Sequence, residues 1–142
     1  MLIRQQNGNV LSMLPTNTFQ RADLHREYLC GAMMIAQDFT EADFTDSDMR
    51  QCCMAGTTLT RARMDRCNLW GSVLTGIRGW QLSARNADFT NVDLTGANLS
   101  GADLTGAIVD GARLHRVDFS GAILRDVDFS KSKLKDCIGV KI

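Results

Sequence analysis

Large apolar residues return at every fifth position along most of this chain. Counted outward from Leu99, they fall at Phe19, Leu24, Leu29, Met34, Phe39, Phe44, Met49, Met54, Leu59, Met64, Leu69 and Leu74, and again at Phe89, Leu94, Leu104, Val109, Leu114, Phe119, Leu124, Phe129 and Leu134. Only Gly79 and Ala84 break the series, so 22 of 24 such centres are large and apolar. In the most regular stretch, a small apolar residue sits two places before each of Phe89, Leu94, Leu99 and Leu104, at Ala87, Val92, Ala97 and Ala102. This period fits neither the 3.6 residues of a helix nor the 2 of a strand. A centre and the residue two before it point the same way, as in a short strand. The next inward residue comes three places on, so the chain must turn in between. Nine of the twelve glycines lie two places after a centre, Gly31, Gly56 and Gly101 among them. Glycine there suits a corner conformation that a side chain hinders. Each five-residue unit therefore predicts one short side and one corner of a coil, a repeat architecture.

The units "ADFTN", "VDLTG", "ANLSG", "ADLTG" and "VDFSG" closely resemble the motif of the pentapeptide-repeat family. The resemblance covers about residues 17–136. It implies an all-β fold, a right-handed quadrilateral β-helix with four pentapeptides per coil and about six coils. Coils stack at roughly 4.8 Å, so the rod is on the order of 30 Å long. Residues 1–16 are then an N-terminal cap segment and 137–142 a short C-terminal tail. With 20 residues per coil, Arg21, Glu41 and Arg61 become one outward column and Arg26, Asp46 and Arg66 another. Opposite charges at strand spacing attract. Leu94, Leu99 and Leu104 should be buried, and Asn91, Thr95 and Ser100 exposed.

Residues 77–86 interrupt the pattern without changing the count. Large residues move to Ile77 and Leu82 while the centres shrink to Gly79 and Ala84, which conserves core volume. The segment is either repacked within the coil or looped out to present Trp80 to a partner.

Charge and chemistry narrow the functional classes. Sixteen basic and sixteen acidic residues leave a formal net charge of zero, which is no footprint for direct nucleic-acid binding. The N-terminus has no apolar run long enough for a signal peptide or a membrane span. Five cysteines without regular spacing argue against a disulfide framework and for a cytoplasmic protein. His25 and His115 lie on opposite faces of the coil, and no C-x-x-C or H-x-x-x-H occurs, so no metal site is expected. Cys52, Cys67 and Cys137 fall on small inward positions and read as core fillers. No catalytic residue and no cofactor site is expected. The aspartates just before a centre should hydrogen-bond nearby backbone at the corner.

The surface then carries the functional expectations. Met33, Ile35, Ala55 and Val73 fall on one side in vertical register, an apolar patch of the kind that marks an interface. The N-terminal segment could instead fold back over it. Farther along the same side stand Arg113, His115, Arg116, Lys133 and Lys135. At the far end Ile138, Val140 and Ile142 alternate as one more strand would. They are too few to close a coil, which predicts a homodimer through the C-terminal coil. The main functional expectation is a non-enzymatic scaffold for a protein partner of unassigned identity. Two alternatives follow from the resemblance: a DNA-mimicking protector of gyrase of the quinolone-resistance type, and a secreted bacterial effector or its repeat domain.

Overall fold

The computed structural model describes residues 1–13 and 18–140. Five short strands occur: β1 (Leu2–Gln5), β2 (Val10–Met13), β3 (Ala32–Met33), β4 (Arg113–His115) and β5 (Lys133–Lys135). The rest of the ladder consists of single parallel bridges. In each, residue i meets residue i+20, from Asp23↔Asp43 to Asp118↔Ile138. Four columns of bridges start at Asp23, Tyr28, Met33 and Asp38, one for each five-residue step.

The backbone pattern explains the period. The N–H of Leu24 donates to Asp43 O and the N–H of Asp43 to Ala22 O, at 2.7 and 2.9 Å, and this pairing recurs along the rod. The corner residue two places after the centre adopts a left-handed conformation in almost every unit. Glycine takes it at Gly31 (φ 74), but so do Arg21 (φ 56), Glu41 (φ 60) and Asn91 (φ 57). An L-residue pays roughly 1 kcal/mol for that conformation, so the coil imposes the corner even where glycine does not invite it. Asx hydrogen bonds support it: the backbone N–H of Thr95 donates to Asp93 Oδ1 at 3.0 Å, and its hydroxyl does so at 2.6 Å. Ser100 bonds Asn98 in the same way. Those hydroxyls are turned inward toward the corner, so Thr95 and Ser100 are half-buried and only Asn91 of the three is fully exposed.

The core is a shaft filled by the centres and the small residues before them. Leu94, Leu99 and Leu104 are buried as expected. Where the small residue is polar or a thiol, it also donates to a carbonyl 23 residues back. Ser47 reaches Leu24 O at 2.6 Å, Thr57 reaches Met34 O at 2.7 Å, and Cys67 Sγ reaches Phe44 O at 2.7 Å. These buried groups are thereby satisfied.

Residues 77–86 stay in the coil. Arg78 bridges Thr58 and Asn98, and Ser83 bridges Arg63 and Asp103. Ile77, Leu82 and Ala84 are buried. A Cβ on Gly79 would lie 3.0 Å from Leu99 Cδ2 and 3.4 Å from Leu82 Cδ2. Leu82 has taken the space of the missing centre.

At the start of the chain β1 and β2 form an antiparallel hairpin, and β1 also pairs antiparallel with β3 through Arg4↔Met33 and Gln5↔Ala32. Ile3 is buried against the shaft, and Phe19 stacks on Phe39 with centroids 4.7 Å apart. At the far end the shaft residues Leu124, Phe129 and Leu134 are only partly buried. The ladder also slips there: Gly111 N–H donates to Lys131 O, whereas Asn91 N–H donates to Asp110 O.

Candidate interaction surfaces

Three of the four sides carry aspartate at several of their bridge positions: Asp23, Asp43 and Asp103; Asp48 and Asp88; Asp38 and Asp118. The fourth reads Met33, Cys53, Val73, Asp93, Arg113 and Lys133. It is also the side that bears β3, β4 and β5. The hairpin extends this side by adding a strand at its edge, through the pairs to β3, and does not lie across its outer face. Met33, Ile35 and Val73 remain 38%, 45% and 39% exposed, and Ala55 is half-buried.

The other candidate residues fall elsewhere. Trp80 is 45% exposed on the neighbouring side, flush with the coil. Ile138, 60% exposed, bridges Asp118 on that same side, three turns farther along, with Val140 partly buried beside it. Ile142 lies outside the described residues. The structure thus brings Met33, Ile35, Ala55 and Val73 together and keeps them apart from the end group. Ile123 and Ile108, both exposed, join Ile138 near the finish. Sequence reasoning passed over these two. The signal was isoleucine at a position that elsewhere prefers aspartate.

A groove runs along the corner beside the fourth side. Its first part, about 590 Å³, extends from the hairpin tip at Gln6 and Asn7 past Gly31 and Met33 to Gly71 and Val73. A smaller hollow of about 180 Å³ continues from Gly71 and Val73 to Gly111, Arg113 and Lys133.

The charge columns form as the 20-residue stacking requires. Glu41 takes Arg21 at 2.7 Å on one oxygen and Arg61 at 2.7 Å on the other. Hydrogen bonds from Arg21, then Arg61, hold the Glu41 carboxyl below its ordinary value. Arg66 pairs with Asp46 at 2.6 Å, whereas Arg26 forms no ion pair with it. These pairs are exposed and contribute little to stability individually.

The sulfur chemistry is inert at the buried positions. Burial pushes the Cys52 and Cys67 thiols up to about 12, far from a reactive thiolate. His25 Nδ1 bonds the Asp23 carboxylate, which raises the imidazole above its ordinary value and lowers the aspartate. Among the described residues no third group hydrogen-bonds that exposed imidazole to orient it for a nucleophile relay. Among the described residues no group of His, Cys, Asp and Glu could hold a metal ion, and no helix is long and apolar enough to cross a membrane.

A sequence model described as pentapeptide repeats, eight copies long, matches residues 18–56, 80–111 and 97–136. The chain belongs to the pentapeptide-repeat family. Pentapeptide-repeat proteins form right-handed β-helices and are generally non-enzymatic structural or interaction proteins. No curated protein matches the sequence significantly. Among solved structures, a pentapeptide-repeat protein called Rfr23, from the cyanobacterium Cyanothece, is 23% identical with a TM-score of 0.40. That match covers 72% of this chain and 63% of Rfr23, so the chain spans less than two thirds of that protein's length. HetL from the cyanobacterium Nostoc, a pentapeptide-repeat protein involved in heterocyst differentiation regulation, is 19% identical with a TM-score of 0.35, covering 87% of this chain and 74% of HetL. A trypsin-treated form of QnrB1, a plasmid-mediated fluoroquinolone resistance protein, is 18% identical with a TM-score of 0.39, covering 82% of this chain and 78% of QnrB1.

Proposed function

We propose that this pentapeptide-repeat protein is a non-catalytic scaffold, a four-sided coil of about six turns that binds protein partners and pairs with a second copy through its C-terminal coil. The observation that carries the reading is the partly covered shaft of the last coil. Leu124, Phe129 and Leu134 are half-exposed while Ile108, Ile123 and Ile138 stand out around them. The amide N–H groups of Leu124, Asp126 and Phe129 donate to no backbone acceptor among the described residues. Two such ends meeting about a two-fold axis bury apolar surface and open edge together, and the contact closes at two chains. The self-neutralised columns Arg21–Glu41–Arg61 and Asp46–Arg66 leave little field for imitating a phosphate backbone, which favours protein partners over the gyrase-protecting alternative.

The test is sedimentation velocity at micromolar concentration. The wild type should sediment as a dimer, and Ile138→Asp with Val140→Lys as a monomer of unchanged circular dichroism. A monomeric wild type at high micromolar concentration, or a dimer indifferent to both substitutions, contradicts the end-to-end pairing.

A further inference from the structure

The groove on the fourth side has a chemistry that neither the fold nor the dimer end requires. We propose that it seats an extended segment of a partner protein, apolar at one end and acidic at the other. The inference rests on the scaffold reading and names the kind of partner that the scaffold takes.

Three observations carry it. The first is continuity. Two hollows share Gly71 and Val73 and lie end to end along the corner. In that corner column Gly31, Gly71 and Gly111 alternate with Gln51 and Asn91, whose side chains reach over the neighbouring glycines and line the hollows. The second is the head of the groove. The hairpin tip walls it, held there by Gln5 Nε2 donating to Cys30 O at 2.9 Å. Its floor presents Met33, Cys53 and Val73 from three successive turns, with Met33 and Val73 more than a third exposed. A ligand group there would gain by shedding water from apolar surface.

The third observation is the polarity of the tail. Arg113 and Lys133 line the groove, with Arg116 and Lys135 exposed next to them. Arg113 pairs with Asp93 at 3.0 Å. Arg116, Lys133 and Lys135 make no ion pair among the described residues. Four cations against Asp93 and Asp136 leave the tail positive, beside a head that has an apolar floor, amide walls and no charge. A carboxylate-bearing segment complements it in charge and in register.

The length sets the size of the occupant. Five coil steps of about 4.8 Å separate Met33 from Lys133, roughly 24 Å, which an extended chain at about 3.3 Å per residue spans with about seven residues. The segment lies along the rod, across the strands, so side chains and not ladder hydrogen bonds select it. A Cβ on Gly71 would meet only Gln51 Cγ, at 3.8 Å, so the partner's backbone can approach closely there, whereas the Asn91 carboxamide already covers Gly111.

A random nonapeptide library selected on the intact protein tests the proposal. Enriched peptides should carry apolar residues at one end and Asp or Glu at the other. A synthetic copy of the consensus should bind with an affinity that falls with salt and drops at least tenfold with Arg113→Glu plus Lys133→Glu. Val73→Glu should cut it by a similar factor through the other end. All three positions are exposed, so the variants should keep wild-type circular dichroism. Reselection on the Arg113→Glu, Lys133→Glu variant should change the acidic end of the consensus to a basic one and leave the apolar end. No enrichment, a consensus without this polarity, or binding indifferent to the variants overturns the proposal. So does binding of the wild type to phosphatidylserine-containing vesicles with no peptide enriched, which would assign the strip to a lipid surface. If the peptides fail while the protein still dimerises through its C-terminal coil, the scaffold stands and the groove assignment falls alone.

Discussion

The two ends of the rod are built from the same repeat and finish differently. Each has backbone donors that meet no backbone acceptor among the described residues: Asp23 and Tyr28 at the start, and Leu124, Asp126 and Phe129 at the finish. Each has one side extended, by β1 on β3 at the start and by Ile138 on Asp118 at the finish. The shaft is what differs. At the start Ile3 and Phe19 plug it, and Leu24 and Leu29 are fully buried. At the finish Cys137 and Val140 pack against the core but are only partly buried, and Leu124 and Phe129 remain partly open. A β-helix needs more than paired edges to end. It needs a bulky apolar group laid across its core, and among the described residues a fully buried one is seen at the N-terminal end.

The largest expected contrast comes from equal deletions at the two ends. Leu29→Ala removes a fully buried centre and should cost about 3 kcal/mol in urea denaturation, the ordinary price of a core leucine. Leu124→Ala removes a centre that is already partly in water and should cost under about 1.5 kcal/mol. Equal costs would mean that the finish is as well closed as the start.

Two glycines sharpen the comparison next. Gly139 has φ 81, and a Cβ there would lie 2.6 Å from Phe119 C. Gly139→Ala should release the tail from Phe119, expose more of the last coil and cost about 1–3 kcal/mol. Gly8, in the hairpin turn, has φ 86 but nothing within 4 Å of such a Cβ. Gly8→Ala should cost only about 1 kcal/mol, the left-handed strain alone. Limited proteolysis should nick the C-terminal tail of the first variant and spare the N-terminal hairpin of the second.

The period of five, its register from Phe19 to Leu134 and the inward sense of each centre were legible in the sequence, because one buried shaft repeats one demand. The 20-residue stacking then placed Met33, Ile35, Ala55 and Val73 on one side. The hairpin was less legible. Its signal is the Asn7-Gly8 pair between "LIRQ" and "VLSM", a two-strand turn signature that the longer rhythm hides. The inward hydrogen bonds of Ser47, Thr57 and Cys67 were not legible either. At those positions a small volume is all that the pattern demands, and the acceptor belongs to another turn of the coil. The groove needs both facts at once: which corners are glycine and which corners stack.

The smallest expected effect is on pH. Asp46 is held low by its hydrogen bond from Arg66 and Asp118 by hydrogen bonds from Ser120. Burial pushes the Asp93 carboxyl up, but hydrogen bonds from Thr95 outweigh it and keep it low. A carboxyl lowered on folding stabilises above its unfolded value and loses that contribution as pH falls through its folded one. The urea midpoint should therefore fall between about pH 5 and about pH 2, where free aspartate near 3.9 protonates first. Asp46→Asn should flatten that fall at the start of the rod and Asp118→Asn near its finish, each by a small fraction. A midpoint that rises on acidification would show that these carboxylates are not stabilised by folding.

The difference between the ends is read most directly by amide hydrogen exchange followed at two protein concentrations. At nanomolar concentration the amides of Leu124, Asp126 and Phe129 should exchange quickly, like those of Asp23 and Tyr28. At high micromolar concentration the C-terminal three should become protected while the two at the start stay unchanged. Protection that appears at both ends alike, or at neither, would contradict an end that is left open for a second copy.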